Sequence, residues 1–275
     1  MAIVESPITV FSDANTSLNP GCLRHMVTHY SNPRTGGVAG EKRINSFTRR
    51  SAVGEAEGLY WQYESFMKKQ DAQFHTVVGA AGELFSIRTS LFHMQGNNII
   101  LDDFLISMRI CLQGYSIRYE PDAFATEFPS ASLAEEGKRK IRIAAGAYQA
   151  LSYLTACMNF FRRPLLAFQY ISRRVLRWVF CPYMLVIVLV TNLIISLGDD
   201  APLFFDIFLL AQLGFYILAG TGGLLVKTGR PAGFLAVPFY FLFMNYCLVR
   251  GLIRFLRGSQ TALWERSARE AGDLA

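Results

Sequence analysis

The sequence predicts an α/β domain facing water, followed by a membrane domain of about three helices, and three observations carry that prediction. The first is uneven composition. The 275-residue chain is 52% hydrophobic with mean hydropathy +0.25 and net charge +6, too apolar for an ordinary soluble domain and too charged to lie wholly in a bilayer. Residues 1–163 are mixed and polar, whereas Leu165 to Leu256 is dominated by Leu, Phe, Val and Ile. The second is the alternation of short β-branched runs with helix-period stretches in the polar part. The third is a set of apolar stretches, Val175–Leu197, Leu203–Val226 and Gly233–Ile253, each of about 20 residues and long enough to span. The expected divisions are an α/β domain over 1–160, an interfacial segment over 161–177, a membrane domain over 178–257 and a polar tail over 258–275.

Ile8-Thr-Val-Phe-Ser reads as a strand running into an acidic turn at Asp13-Ala14-Asn15. Open α/β sheets place ligands at such strand ends. Asp13 and Asn15 offer oxygens suited to Mg²⁺ or Mn²⁺ with a diphosphate, although three residues of this kind also make a plain Asx turn. Leu18 to Tyr30 reads as a helix with Pro20 near its start, Val38 to Ile44 as a strand, and Glu57 to Gln70 as a helix. The aromatics of that helix, Tyr60, Trp61, Tyr63 and Phe66, read as packing. Val77 to Arg88 reads as a strand broken by glycines, and Gly79 and Gly82 would admit a sugar ring beside the backbone.

Asn98 to Gly114 is the stretch around which the rest is organised. Asp102 and Asp103 close the apolar run Ile99–Leu101, and helical spacing follows through Phe104, Leu105, Met108, Ile110 and Leu112 to a stop at Gly114. Carboxylates at a helix start also serve the dipole. Their company favours chemistry: an acidic turn lies upstream at Asp13 and a basic segment, Arg139 to Arg142, lies downstream. Tyr115 to Ala123 alternates as a strand, and Leu133 to Leu154 is a basic helix whose arginines suit diphosphate. The five cysteines (Cys22, Cys111, Cys157, Cys181, Cys247) are widely spaced and odd in number, so they read as small buried hydrophobes and fit a reducing cytoplasm. Met1 to Pro7 lacks the features of a signal peptide.

Ser12-Asp-Ala-Asn15, Gly79-Ala-Ala-Gly-Glu-Leu-Phe-Ser-Ile-Arg88, Leu101-Asp-Asp103 and Arg139-Lys-Ile-Arg142-Ile143 stand in that order. Together they resemble the membrane-embedded family 2 glycosyltransferases, such as the cellulose, hyaluronan and poly-N-acetylglucosamine synthases. The resemblance implies a partial GT-A-type, Rossmann-like domain ahead of the membrane helices. It also implies an inverting hexosyl transfer from a nucleotide sugar, expected to be a UDP-sugar, to a growing polysaccharide or other saccharide or lipid-linked acceptor. By it Asp13 is a metal ligand with Asn15 in place of a second aspartate, Asp103 is the catalytic base, and Asp102 stands for the preceding glutamate. Arg139 and Arg142 close over the diphosphate, and Gly79 and Gly82 belong to the acceptor loop.

Asn15 removes a charge from the metal site, and Ile143 replaces an aromatic wall beside the acceptor. Such enzymes also carry roughly a hundred residues of nucleotide-binding structure, the size of a small domain, before the acidic turn. None precede Ile8 here, so a truncated enzyme, or a non-catalytic membrane subunit, is the alternative expectation. A transporter is disfavoured by the scarcity of intramembrane charge.

Arg162, Arg163, Arg173, Arg174 and Arg177 beside Leu165, Leu166, Phe168, Tyr170 and Ile171 read as an amphipathic helix at the bilayer surface. Arginines before the first span and Asp199 and Asp200 after it predict a cytoplasmic catalytic domain on a multi-pass inner-membrane protein. Arg250, Arg254 and Arg257 conflict with three full spans. Gly220, Gly222 and Gly223 predict close helix contacts. The bilayer is the expected surroundings and nucleic acid is not an expected partner.

Overall fold

The computed structural model describes residues 4–44, 52–93, 96, 98–130, 132–198 and 202–258. Asp199, Asp200 and the tail beyond Gly258 lie outside the described residues. A mixed sheet contains β1 (Ile8–Ser12), β2 (Ser17–Leu18), β3 (Thr35–Ile44), β4 (Leu84–Arg88) and β5 (Ser116–Glu127) in the order β1-β4-β3-β5-β2. β4 runs antiparallel to both β1 and β3, while β3 and β5 are parallel. β1, β3 and β5 therefore point the same way. Their C-terminal ends and the start of β4 share one border of the sheet. Around the sheet lie α1 (Cys22–Thr28), α2 (Ala52–Phe74), α3 (Asp102–Leu112) and α4 (Leu133–Tyr153). Met108, Ile110, Leu105 and Phe104 of α3 pack with Ile87, Phe85 and Ile117 of the sheet in the main core.

Several boundaries differ from the sequence expectation for local reasons. β3 begins at Thr35 because Gly36 and Gly37 fit beneath neighbours that leave no room for a side chain. A Cβ on Gly36 would stand 2.4 Å from Ile110, and one on Gly37 would stand 2.8 Å from Ile117. The expected strand over Val77–Arg88 shrinks to β4, because Gly79 at φ 88° leaves the extended region and its preceding segment is a loop. α1 is shorter than Leu18–Tyr30: Gly21 at φ 82° precedes it, and Ser17–Leu18 pairs with β5 instead. β5 runs on to Glu127 past Pro121, since a register shift after the Gly40–Glu120 pair lets the chain bulge.

Three helices are long and apolar enough to cross a membrane: Pro164–Ser196, Leu203–Lys227 and Gly233–Leu256. The first comprises α5 (Pro164–Tyr170), a π-helical stretch over Ile171–Phe180, and α6 (Cys181–Ser196); α7 (Leu203–Lys227) and α8 (Ala236–Leu256) follow. Gly222 and Gly223 of α7 pack against Leu235 and Phe239, whereas Gly220 faces open space. Gly251 of α8 admits α4, since a Cβ there would lie 2.4 Å from that of Ala144. Asn192 donates to Gln212 at 2.9 Å, tying α6 to α7. All five cysteines are free thiols, and all but Cys181 are buried.

Of the arginines expected at the bilayer surface, Arg173, Arg174 and Arg177 turn inward, while Arg162 is exposed. Glu57, Glu64 and Asp71 recur every seven residues of α2 and so share one face. Arg173 donates to Asp71 at 2.8 Å and reaches Glu64 at 3.5 Å, and Arg177 pairs with Glu64. Farther along the same face, Arg139 of α4 pairs with Glu57 at 2.5 Å. The Glu64 side chain is 5% exposed. Burial alone would push its carboxyl up, but the arginines hold it well below the usual carboxylate range. Removing one member leaves its partners charged and poorly solvated, so Glu64→Ala is expected to cost about 3 kcal/mol. Thermal unfolding in detergent checks this, and a variant as stable as the parent would show that the stripe contributes nothing.

Candidate active site

The shared border of the sheet collects acids from separate segments. Asp13 follows β1, Glu83 precedes β4, and Glu127 ends β5. The backbone carbonyl of Asp13 accepts from Thr16 N at 3.3 Å and Thr16 Oγ1 at 2.8 Å, which fixes the turn. Gly82 lies between two carboxylates. A Cβ on it would stand 3.3 Å from Asp103 Oδ2 and 3.7 Å from Asp13 Oδ1. The residues matched to metal and base are thus brought face to face across one glycine.

Asp103 occupies the first turn of α3 and Oδ1 accepts from the Phe104 N–H at 2.7 Å. Burial lifts its pKa to about 7. Asp102 and Glu83 add to the rise, and the N–H groups of Phe104 and Gly82 oppose it. Asp102 is exposed at the helix start. Gly79 is placed differently from Gly82: a Cβ there would overlap the Phe104 ring at 2.1 Å, so Gly79 admits an aromatic ring of the core rather than a sugar. The loop is pinned by Ala80 N donating to Ser107 Oγ at 3.0 Å.

Other matched residues are held by neighbours. Asn15 donates Nδ2 to Glu127 Oε1 at 2.7 Å, leaving its amide oxygen as the atom suited to a cation. Lys42 of β3 joins Glu127 at 2.5 Å and also pairs with Glu83. Burial would raise Glu83, yet Lys42 holds it down to about 2. Arg139 is clamped by Glu57 and by Glu136, whose Oε2 lies 3.0 Å from Nη2. Burial opposes the charge of Arg139, but these glutamates hold its pKa above the ordinary range. Arg142 is half-buried: burial and the nearby Arg254 and Arg139 lower its pKa, and Asp102 and Asp103 oppose them. Arg142, rather than Arg139, therefore meets the acid pair. The hard oxygen donors Asp13 and Asn15 Oδ1 fit Mg²⁺ or Mn²⁺ in kind.

A cavity of about 910 Å³ opens from Asp103 and Glu83 toward α8. Tyr60, Trp61 and Trp178 line it, with Arg174 and Arg177. Sequence reading gave Tyr60 and Trp61 to packing and Arg174 to the bilayer surface. The seven-residue acid repeat of α2, matched by arginines in the later segment, was the available signal that these faces meet. Apart from this site, His25, Glu120 and Asp122 each bring one ligand atom within 4.8 Å of the others, where α1 meets the bulge of β5.

A mixed sheet with flanking helices, an acid-lined strand-end border and three candidate membrane-spanning helices make a GT-A-like glycosyltransferase fold. The defining pattern of glycosyl transferase family group 2 matches residues 8–227, and the chain belongs to that family. Among solved structures, the mannosyltransferase PcManGT from Pyrobaculum calidifontis, in complex with GDP-Man and Mn²⁺, aligns with TM-score 0.62 at 17% identity. The alignment covers 94% of this chain and 65% of that one, so the chain spans about two-thirds of its neighbour's length. No curated protein sequence matches.

The two glycines make a direct test of this geometry. Gly79→Ala combines a positive φ with overlap of Phe104 and is expected to cost at least about 2 kcal/mol. Gly82→Ala, at ordinary φ and tight only against a carboxylate oxygen, is expected to cost less than about 1 kcal/mol. Paired thermal unfolding of the two variants checks the order, and the reverse order would contradict it.

Proposed function

We propose that this protein is an inverting glycosyltransferase that moves a hexose from a nucleotide sugar to a membrane-associated acceptor. One observation carries the reading. A carboxyl at Asp103, lifted to about 7, opens onto a large cavity and faces Asp13 across Gly82. A base with pKa near the working pH is best matched to taking a proton from an acceptor hydroxyl. As Asp103 removes that proton, the acceptor oxygen attacks the anomeric carbon from the face opposite the leaving group. The bond to the nucleoside diphosphate breaks, and the diphosphate leaves with the electron pair.

Asp13 and Asn15 Oδ1 would hold a divalent cation, which supplies charge neutralisation for a diphosphate. Arg142 adds a guanidinium on the acid-pair side, while Arg139 acts by holding Glu57 and Glu136 in place. A UDP-sugar is the donor favoured by the sequence resemblance; the neighbour's GDP-Man supports a nucleotide sugar in general. Arg162 and Arg163 ahead of the first span favour a cytoplasmic active face on the inner membrane. The divisions at 160, 177 and 257 remain our proposed domain limits. A second reading, a non-catalytic subunit, is favoured by the engagement of Arg139 with glutamates in place of a diphosphate.

Three measurements separate these readings. Asp103→Asn is expected to lower transfer by at least about 10²-fold, within the range typical of a lost general base, while donor binding persists. Asp102→Asn is expected to do less, and equal turnover in the Asp103 variant would remove the assigned base.

The pH profile follows from the sign of the shift. Asp103 must be deprotonated to act, so the rate is expected to fall as pH drops through about 7 and to level above it. A flat profile between pH 6 and 8 would contradict the assignment.

EDTA is expected to stop transfer and added Mg²⁺ or Mn²⁺ to restore it. Full activity of Asp13→Ala in chelator would exclude the metal role.

A further inference from the structure

We propose a second metal site, away from the acid-lined border, in which His25 of α1 and Glu120 and Asp122 of β5 bind one Zn²⁺ ion. One ligand atom from each of the three lies within 4.8 Å of the others. Bonds of about 2.1 Å to nitrogen and oxygen set tetrahedral ligand atoms about 3.4 Å apart, so modest side-chain rotations close the set. His25 and Asp122 are exposed and Glu120 is half-buried, so those rotations meet little resistance. Glu120 lies opposite Gly40, and Glu127 of the border lies opposite Ile44. Four residues of β3 therefore separate the two places, about 13 Å along the strand.

The ligands come from two elements, each held in place. The pairing of β5 with β3 passes from Glu120–Gly40 directly to Phe124–Glu41, so Pro121, Asp122 and Ala123 bulge out of the strand. Asn19 fastens this bulge: its Nδ2 donates to the Asp122 carbonyl at 2.9 Å, and its Oδ1 accepts from the Phe124 N–H at 2.8 Å. On α1 the His25 ring leans back over Gly21, where a Cβ would stand 3.8 Å from Cδ2 and 3.9 Å from Nε2. Glu120 is oriented through both oxygens. Oε1 accepts from the Asp122 N–H at 2.9 Å, and Oε2 lies 2.8 Å from His29 Nε2. His29 caps α1 one turn after His25 and so shares its face. Each carboxylate oxygen keeps a further lone pair, so His29 positions Glu120 for a metal without using it up.

Charge and donor type point to the ion. Glu83 and Glu127 at the border share Lys42. Among the described residues, Glu120 and Asp122 have no lysine or arginine within 4.0 Å, and the ionic partner of Glu120 is His29, charged only when protonated. Two carboxylates turned toward one imidazole are short of positive charge, which a divalent cation supplies. One imidazole nitrogen with two carboxylate oxygens suits Zn²⁺, whereas Mg²⁺ favours all-oxygen sets such as Asp13 and Asn15. Three protein ligands leave the fourth tetrahedral position to water. The ion would tie α1 to the bulge of β5 across Asn19, and an ion that binds only the folded arrangement stabilises it.

The test uses the full chain in detergent, without a histidine tag, stripped by chelator and then given ZnCl₂ alone. Calorimetry is expected to show about one tightly bound Zn²⁺ per chain that excess MgCl₂ does not displace, and thermal unfolding is expected to shift upward. His25→Ala and Asp122→Asn, both at exposed positions, are expected to weaken Zn²⁺ at least about tenfold. His29→Ala, acting through Glu120, is expected to weaken it about 10- to 100-fold, and His29→Gln, which keeps a donor, to weaken it less. Asp13→Ala is expected to leave Zn²⁺ binding unchanged. X-ray absorption at the zinc edge of the unaltered chain is expected to show nitrogen and oxygen neighbours with imidazole scattering. Absence of a bound zinc, full affinity in a folded His25→Ala, loss of zinc in Asp13→Ala, or sulfur neighbours at about 2.3 Å would each overturn the proposal. Should His25→Ala fail to fold, the absorption spectrum decides. No donor or acceptor enters these measurements, so the site stands or falls separately from the transferase reading.

Discussion

The docking of an acidic face of α2 against arginines from two later segments is the constraint on which the architecture depends. Glu57, Glu64 and Asp71 lie in a row, and Arg139, Arg177 and Arg173 meet them in turn. The last two arginines lie in the helix that continues as the first candidate span. The ion pairs therefore fix the sheet and α2 to the first candidate membrane-spanning helix. Buried pairs contribute little net stability over apolar packing, but they reject misplacement strongly, because any slip strands several charges at once. A seven-residue acid repeat also sets register as well as contact.

That docking builds the cavity. α2 contributes Tyr60 and Trp61, the π-helical stretch contributes Arg174 and Trp178, and α8 contributes the apolar wall. Glu136 connects these parts: it accepts from Arg139, and from Tyr240 of α8 at 2.8 Å. The wall of the cavity is thus held by the same charge network that positions α4, the helix carrying Arg142 toward the acid pair. A π-helical turn at this point is consistent with function, since widening the helix redirects neighbouring side chains without ending it.

Much of this arrangement was legible in the sequence because its signals are local. The helix after Asp102 follows from 3.6-residue spacing, and the apolar spans follow from length. The acid pair and the acidic turn could be matched in order before anything was known of their distance. What could not be read was which faces meet. Gly79 and Gly82 look alike in sequence, yet one accommodates Phe104 and the other separates two carboxylates. Arg139 and Arg142 sit in one short basic motif, yet Arg139 is enclosed by glutamates from two helices. Arg173 to Arg177 beside leucines has the pattern of a surface-seeking helix, and only the distant acids of α2 reverse it.

The same distinction bears on how the site keeps its charge in check. At the sheet border Glu83 and Glu127 share Lys42, so these acids are neutralised within the domain. Asp103 has no such cation at bonding distance among the described residues, and burial with neighbouring negative charge raises its proton affinity. Its counter-charge Arg142 stands farther off. An acid left under-compensated beside fully compensated ones has a proton affinity close to neutrality, where small changes in the surrounding charge shift its occupancy most. On the proposed reading, arrival of a diphosphate with a cation would be such a change. Among the described residues, one border of the sheet thus carries both the lysine-paired Glu83 and Glu127 and the under-compensated Asp103.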